Sequence, residues 1–378
     1  MTKARNIAKF ANDLSVSNGK ISIADLKPSQ SMMFRNRIIN GGMFIDQRNL
    51  GSSDSISWMT NTKYFMDRWE AQFYYNVLNN AVSLQQISTD SPQGFSHSMK
   101  VACTGTSALD SNFQLYIEQQ IEGRNLFGIE WFNNSPSVLT LSFYVKSNLT
   151  GTFPVSVRLS DNGSAHIDSS TRSLPLRYQI NSANTWERKQ ISFTLDSFSG
   201  TKVISNMFAM SVVFWLDAGT NRRSGTYNVW GSNDLGATSG LDNYEFTSDT
   251  NNEFYLTGVQ LEKGPVATPF EHRPYGLELS LCQRYYQNYK DQMSASNQFL
   301  MKNAYWESQT FIYPVEMRGN PSVTTGGIFL RELNGSSSVS ATEYITARRK
   351  GFHCTSNVSN NSTFYTFVVR EPRLDAEL

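Results

Sequence analysis

The stretch from Phe254 to Gln287, FYLTGVQLEKGPVATPFEHRPYGLELSLCQRYYQ, constrains the fold more than any other, because its periodicity changes twice within a short span. Phe254 to Leu261 is a β-branched and aromatic run with apolar residues on both faces, which predicts a strand buried inside a sandwich and not an edge. Pro265, Pro269 and Pro274, with Gly264 and Gly276, then hold the chain extended, since each proline also drives its predecessor out of the helical region. From Leu277 the period turns helical. Leu279, Cys282, Tyr286 and Tyr289 share one face, with Leu281 and Tyr285 beside it and Glu278, Gln283 and Arg284 directed away. One β domain therefore ends here and a helix opens a second unit.

Upstream of this junction the chain reads as strand after strand. Ser137–Lys146 alternates Leu139, Leu141, Phe143 and Val145 against Val138, Thr140, Ser142 and Tyr144, the pattern of a half-buried strand. Phe153–Leu159, Glu187–Leu195, Met210–Leu216 and Tyr255–Leu261 repeat the theme, separated by Asp161–Asn162–Gly163, Ser199–Gly200 and two long loops over 218–225 and 231–240. Strands without intervening helices imply an antiparallel two-sheet sandwich over residues 36–275. Residues 276–378 predict a smaller β-rich domain that opens with the helix and continues through Gln309–Val315, Ser322–Thr325, Tyr344–Arg349 and Phe364–Arg370. Residues 1–35 differ from both. Ile7 and Phe10 line a short helical stripe that cannot bury a core alone, so this segment reads as an attachment arm that docks on a partner. No repeat, collagen triplet or heptad runs through the chain, which argues against a long rod.

Lysine plus arginine (33) nearly cancel aspartate plus glutamate (32) over 378 residues, so nothing electrostatic favours nucleic acid or an anionic membrane. Charged residues are 17% and aromatics 13%, a balance that suits turn-rich β structure and surfaces that meet sugars or sister subunits. Cys103, Cys282 and Cys354 are odd in number and far apart, with no CxxC spacing. They are expected to be reduced, as in a protein assembled in a cytosol. No apolar run approaches the about 20 residues needed to span a bilayer, so no membrane insertion is expected. The basic start, MTKARNIAKFA, lacks the apolar centre of a secretory signal.

The order of the chain's motifs resembles that of a known family. The junction motifs TGVQLE, ATPFEHRPY and LCQRYY follow Asn40–Gly41–Gly42–Met43, Ile45–Asp46–Gln47–Arg48, Tyr64 with Asp67–Arg68–Trp69, and Gln120–Ile121–Glu122–Gly123. LSFYVKS at 141–147 and Asn184–Thr185–Trp186–Glu187 also precede them, and Pro314–Val315–Glu316–Met317–Arg318 and Asp375–Ala376–Glu377–Leu378 follow. This succession resembles tail-fibre and minor tail proteins of bacteriophages, especially those of marine cyanobacterial phages. The resemblance spans nearly the whole chain, and none of its motifs is catalytic. It implies a jelly roll similar to carbohydrate-binding modules, a homotrimer, other phage tail proteins bound through residues 1–35, and a host-surface glycan or protein as target. The implied location is the virion tail, after assembly in the host cytoplasm. The apolar helix face, Leu279, Cys282, Tyr286 and Tyr289, would then be buried either against its own domain or at a subunit interface on a threefold axis. Such jelly rolls often hold a calcium ion with paired aspartates on the closing strand. Thr257–Gly258 stands there and offers no charged oxygen, which leaves Glu130, Asp242 or Glu245 to serve elsewhere; no metal or cofactor is expected.

Recognisable catalytic motifs are absent: there is no G-x-S-x-G, H-E-x-x-H, P-loop or dinucleotide fingerprint. His97, His166, His272 and His353 stand apart from any nucleophile. Glu118 and Glu122 raise the question of a glycosidase, yet residues four apart on a strand lie about 13 Å from each other. Retaining and inverting pairs use about 5–9.5 Å. Arg68, with Asp67, beside Trp69 reads as a local charge pair next to a core ring, and Trp186 reads as packing. Tyr227 and Trp230 differ, because they lie between Gly- and Asn-rich loops. An exposed ring there can stack on a sugar while amide side chains bond its hydroxyls, so these two are the predicted glycan contacts. The sequence thus predicts a non-enzymatic structural virion protein, a tail fibre or tail appendage. The competing readings are a head fibre, capsid decoration or inner tail component, and a polysaccharide depolymerase.

Overall fold

The structure, a computed structural model, describes residues 16–17, 20–21, 34–57, 62–74, 81–106, 110–129, 137–160, 163, 171–196, 203–223, 225–232, 246–289, 297–298, 307–325, 328–332, 338–340, 342–357, 365–369 and 372–377. The expected anchor residues Ile7 and Phe10 lie outside the described residues, as do Glu130, Asp242 and Glu245. Near the N-terminus, β1 (Val16–Ser17) pairs with β2 (Lys20–Ile21).

The body is an antiparallel jelly-roll sandwich. In chain order its first half comprises β3 (Asp54–Ser57), β4 (Thr62–Met66), β5 (Trp69–Tyr74), β6 (Ala81–Ile87), β7 (Ser98–Gly105), β8 (Gln114–Glu122) and β9 (Val138–Ser147). The second half adds β10 (Gly151–Ser160), β11 (Thr171–Ile180), β12 (Glu187–Thr194), β13 (Phe208–Ala218), β14 (Gly231–Ser232) and β15 (Glu253–Lys263). One sheet runs β14-β11-β10-β13-β8-β5-β4 and the other β12-β9-β15-β7-β6-β3. Between them, Leu139, Leu141, Phe143 and Val145 of β9 meet Val155, Val157, Val212 and Phe214 in one fully buried core. The rings of Phe143 and Phe214 meet edge to face at 5.0 Å. Each such side chain contributes about 1.5–3 kcal/mol by leaving water, so the alternation legible in the sequence is what closes the sandwich.

The closing strand β15 is central, between β9 and β7, as its two-sided apolar pattern predicts. Its inward residues are Phe254, Leu256, Val259 and Leu261, and the parity changes at a bulge between Thr257 and Gln260. Gly258 sits in that bulge at φ 63, and a Cβ there would fall 2.6 Å from the tip of the Phe95 ring. The Thr257–Gly258 step therefore serves the bulge. Segment 36–42 crosses the same place: Val259 N donates to Gly41 O (2.9 Å), and the Asn36 amide donates to Val259 O (3.0 Å). Strand β11 was hidden in the sequence by Pro175. The proline fits because β14 pairs only with Arg172 and Ser173, leaving the Pro175 carbonyl to accept from Asn228 N (2.8 Å).

Beyond β15 the connector leads into α1 (Tyr275–Gln283), and the remaining strands follow. They are β16 (Tyr286–Asn288), β17 (Asn297–Gln298), β18 (Glu307–Ile312), β19 (Ser322–Thr324), β20 (Ile328–Glu332), β21 (Ser338–Ser340), β22 (Thr342–Arg348), β23 (Gly351–Asn357), β24 (Tyr365–Val369) and β25 (Arg373–Asp375). They form three small antiparallel sheets, β16-β25-β19, β17-β24-β20-β21 and β18-β23-β22. The helix is shorter than its periodicity predicts. It stops at Gln283, the chain turns through Arg284 and Tyr285, and Tyr286–Asn288 becomes a strand because Arg373–Asp375 pairs with it. Glu278, read as directed outward, is buried: its carboxylate accepts from Asn40 N and pairs with Arg273 (3.1 Å). Among the described residues no helix is long and apolar enough to cross a membrane.

Candidate ligand-binding edge and the buried polar junction

An open cleft of about 420 Å³ lies where β11 and β12, edge regions of the two sheets, come together. Leu174, Phe193 and Leu195 make its apolar floor, Thr194, Asp196 and Asn228 its polar rim, and Trp230 one wall. Trp230 is half-buried against the core, and its indole N–H donates to Thr194 O (2.9 Å), so only the ring face is left for a ligand. Tyr227 lies on the same exposed turn but outside the cleft lining; it is 48% exposed, with the Arg177 guanidinium 5.2 Å from the ring centroid. The turn is shaped by Asn228 at φ 58 and by Val229 N donating to Thr226 O (3.2 Å). At the rim, Asp196 pairs with Arg172 (2.6 Å). An aromatic wall, an amide, a hydroxyl and a carboxylate over an apolar floor can hold the face and hydroxyls of a sugar ring. The floor and the Asp196–Arg172 pair carry no local sequence signal, because Leu174 and Phe193 meet only when the two sheets stack.

The motifs that resemble phage tail proteins meet elsewhere, in a buried polar junction at one end of the sandwich. Asn40, at φ 56, accepts from Ile45 N (3.0 Å) and donates to Ile45 O (2.8 Å) and Asp67 O (3.0 Å). Asp67 accepts from the backbone N–H (2.6 Å) and side-chain amide (2.5 Å) of Gln47, and burial pushes its carboxyl up to about 6. The expected Asp67–Arg68 charge pair is therefore not formed. Arg68 turns away, donates to the Glu377 carboxylate and to Gln120 O, and lies 3.6 Å from the Tyr285 ring centroid. Arg48 pairs with Asp375 and Glu377, each at 3.0 Å, and covers the Tyr286 ring at 3.9 Å. Arg284 grips Glu122 (3.2 and 3.0 Å), and Arg318 donates to Asn206 O (2.7 Å), Ala376 O (2.9 Å) and Glu377 O (2.7 Å). These contacts tie sandwich, helix and C-terminal strands together.

That arrangement corrects part of the subunit-interface expectation. Cys282 is 0% exposed, packed with Ile39, Ile45 and Tyr285, and Tyr286 is 5% exposed beneath Arg48. Leu279 is half-buried against the same cluster, and Tyr289 is half-buried where its N–H donates to Pro372 O (3.1 Å). Cys282 on α1 and Tyr286 on β16 are covered within the chain, by Ile39, Ile45 and Tyr285 and by Arg48. Tyr286→Ala is expected to cost about 3 kcal/mol through cavity and cation–π loss, read as a lower melting temperature that does not depend on protein concentration. A concentration-dependent loss of oligomer with unchanged monomer melting would restore the interface role.

The carboxylates of β8 are also spoken for. Glu118 pairs with Arg158 (3.3 Å) and Glu122 with Arg284, and the residue directly opposite Glu118 in the sheet is Glu70. Glu70 and Glu118 are each 3% exposed, and the Arg158 that pairs with Glu118 lies over the Tyr116 and Trp215 rings. Glycoside hydrolysis needs sugar and water between two carboxyls, and this pair is closed off from both. Trp186, half-buried, donates its N–H to Asp90 (2.8 Å), as a packing residue does. Cys103 and Cys282 are buried free thiols. Among the described residues no cluster of three or more His, Cys, Asp or Glu is placed to hold a metal ion.

No protein-family model and no curated protein sequence matches the chain. Solved structures that match part of the chain include the enzymatically active domain of tailspike protein 4 of bacteriophage CBA120, at 14% identity and a TM-score of 0.26. That match covers 61% of this chain, which spans only 22% of the tailspike structure. A Family 30 carbohydrate-binding module matches at 10% identity and a TM-score of 0.31, covering 64% of this chain and 94% of the module. The Family 11 module of a Clostridium thermocellum cellulosomal cellulase matches at 14% identity and a TM-score of 0.26, covering 61% and 96%. At this distance none of the three carries an argument about function.

Proposed function

We propose that the chain is a structural protein of a bacteriophage particle, a tail fibre or tail appendage without enzymatic activity, that contacts a host-surface glycan through the Tyr227–Trp230 edge of its sandwich. It would attach through residues 1–35 and act as a homotrimer in the virion tail. The observation that carries this reading is where the tail-protein-like motifs meet. Asn40, Gln47, Arg48, Asp67, Arg68, Glu122, Arg284, Arg318, Asp375 and Glu377 close one buried junction, which supports reading the resemblance as one of architecture. Away from that junction, the 226–230 turn and its cleft place an exposed ring beside amide, hydroxyl and carboxylate groups.

Tyr227→Ala, at an exposed position, is expected to leave melting unchanged and weaken binding to purified host-surface polysaccharide at least tenfold, about 1.4 kcal/mol, by calorimetric titration. Wild-type affinity in that variant would remove Tyr227 as a glycan contact. Gold-labelled antibody on intact particles addresses the location, since label on capsid faces would favour a head fibre. Release of reducing ends from the same polysaccharide would favour a depolymerase.

A further inference from the structure

The junction holds more carboxylates than its arginines can pair. Glu118 is matched by Arg158, Glu122 by Arg284, and Glu377 by Arg48 and Arg68, while Asp67 lies in the field of Arg48. Glu70 makes no ion pair among the described residues; on the sheet face the Gln120 amide donates to its Oε1 at 3.0 Å. We propose that Glu70 keeps its proton in the native fold at neutral pH, as the neutral member of a carboxyl pair with Glu118, and that losing this proton in mild alkali destabilises the junction.

The register supplies the first reason. Glu70 on β5 and Glu118 on β8 are direct cross-strand partners on one face, and such partners have Cβ atoms about 4.5–5.5 Å apart. Two buried carboxylates that close cannot both ionise without large cost, since each loses water and meets a like charge. One of them must then stay neutral unless a second cation intervenes. Arg158 of β10 stands at Glu118, which assigns the proton to Glu70. The other titratable groups around Glu70 reinforce this. Tyr64 of β4 contributes a buried phenol, and Glu377 from the C-terminal segment adds negative charge; Arg68 of the β4–β5 turn is engaged with Glu377 and the Tyr285 ring. Burial first, and Glu118 second, push the Glu70 carboxyl up from 4.5 to about 8.

The consequence for stability runs opposite to ordinary acid denaturation. Between the unfolded value of 4.5 and the native value of about 8, the folded chain holds a proton that the unfolded chain has released. The stabilisation is therefore complete below that window and drains away as pH rises through it. Asp67 and Asp217, each raised to about 6, act in the same direction but are exhausted lower on the scale. The buried Cys103 and Cys282 thiols act only toward its alkaline end, so the comparison with Glu70→Gln isolates Glu70. Calorimetric melting of the full chain from pH 6 to pH 9 should show the melting temperature falling by about 3–5 °C. Glu70→Gln should fall by less than half as much and melt at or above the wild type at pH 9. Parallel pH profiles for the two proteins would overturn the proposal. Should Glu70→Gln fail to fold, carbon-13 carboxyl shifts of glutamate-labelled wild-type protein decide. One glutamate titrating above pH 7 supports the proposal, and all titrating below pH 6 overturns it.

Discussion

Arg68→Ala is expected to destabilise the folded protein by about 3–5 kcal/mol, the cost of breaking a buried ion pair from one side. Arg68 is fully buried in the turn between β4 and β5, and its guanidinium serves three partners at once: the Glu377 carboxylate, Gln120 O and the face of Tyr285. Without it, Glu377 keeps only Arg48, the Gln120 carbonyl loses a donor, and Tyr285 faces a void. An orphaned buried carbonyl alone costs about 1–3 kcal/mol. Lysine would restore the charge but not the planar fork that reaches carboxylate, carbonyl and ring together, so Arg68→Lys should recover less than half of the loss. Urea unfolding followed by tryptophan fluorescence measures both variants. Coincident midpoints for wild type and Arg68→Ala would mean that the junction is not held by this clamp.

A second large effect is expected from a single added methyl group. A Cβ at Gly41 would stand 2.2 Å from Val259 O, a backbone atom already held by the Asn36 amide. The crossing cannot simply open, because Val259 N donates to Gly41 O and the bulge at Gly258 depends on the same residues. Relief requires shifting either the 36–42 segment or the central strand of a six-stranded sheet. Gly41→Ala should therefore cost about 3 kcal/mol or more, at the top of the range for overpacked cores. Thermal melting would register this as a fall of many degrees or as loss of soluble protein. A variant melting within a degree of wild type would show that the crossing is looser than its geometry indicates.

The candidate binding edge was only half legible. Tyr227 and Trp230 stand out in sequence because large rings between Gly- and Asn-rich loops have few reasons to be there. Their division of labour did not stand out: Trp230 spends its N–H on Thr194 and forms a wall, while Tyr227 sits outside the cleft under Arg177. Asp196 and Leu174 lie on strands whose own patterns say nothing of a cleft, and the stacking of two sheets supplies it. The helix face shows the same limit. Its apolar spacing was readable, but whether Cys282 and Tyr286 met the same chain or another copy depended on Arg48 and Ile39, more than 200 positions upstream.

The sequence by itself determined the β sandwich, the central place of β15 and the turn to helix at α1. Alternation and proline chemistry act within a few residues, so a local window contains them whole. Only the tertiary structure decided the polar partners. It turned Glu278 inward to Arg273, ended the helix at Gln283 by offering Arg373–Asp375 as a strand partner, sent Arg68 to a carboxylate 309 positions away, and set Glu70 opposite Glu118. Such pairings follow from strand register and from the need of every desolvated charge for a partner, and neither is a property of any short segment of chain.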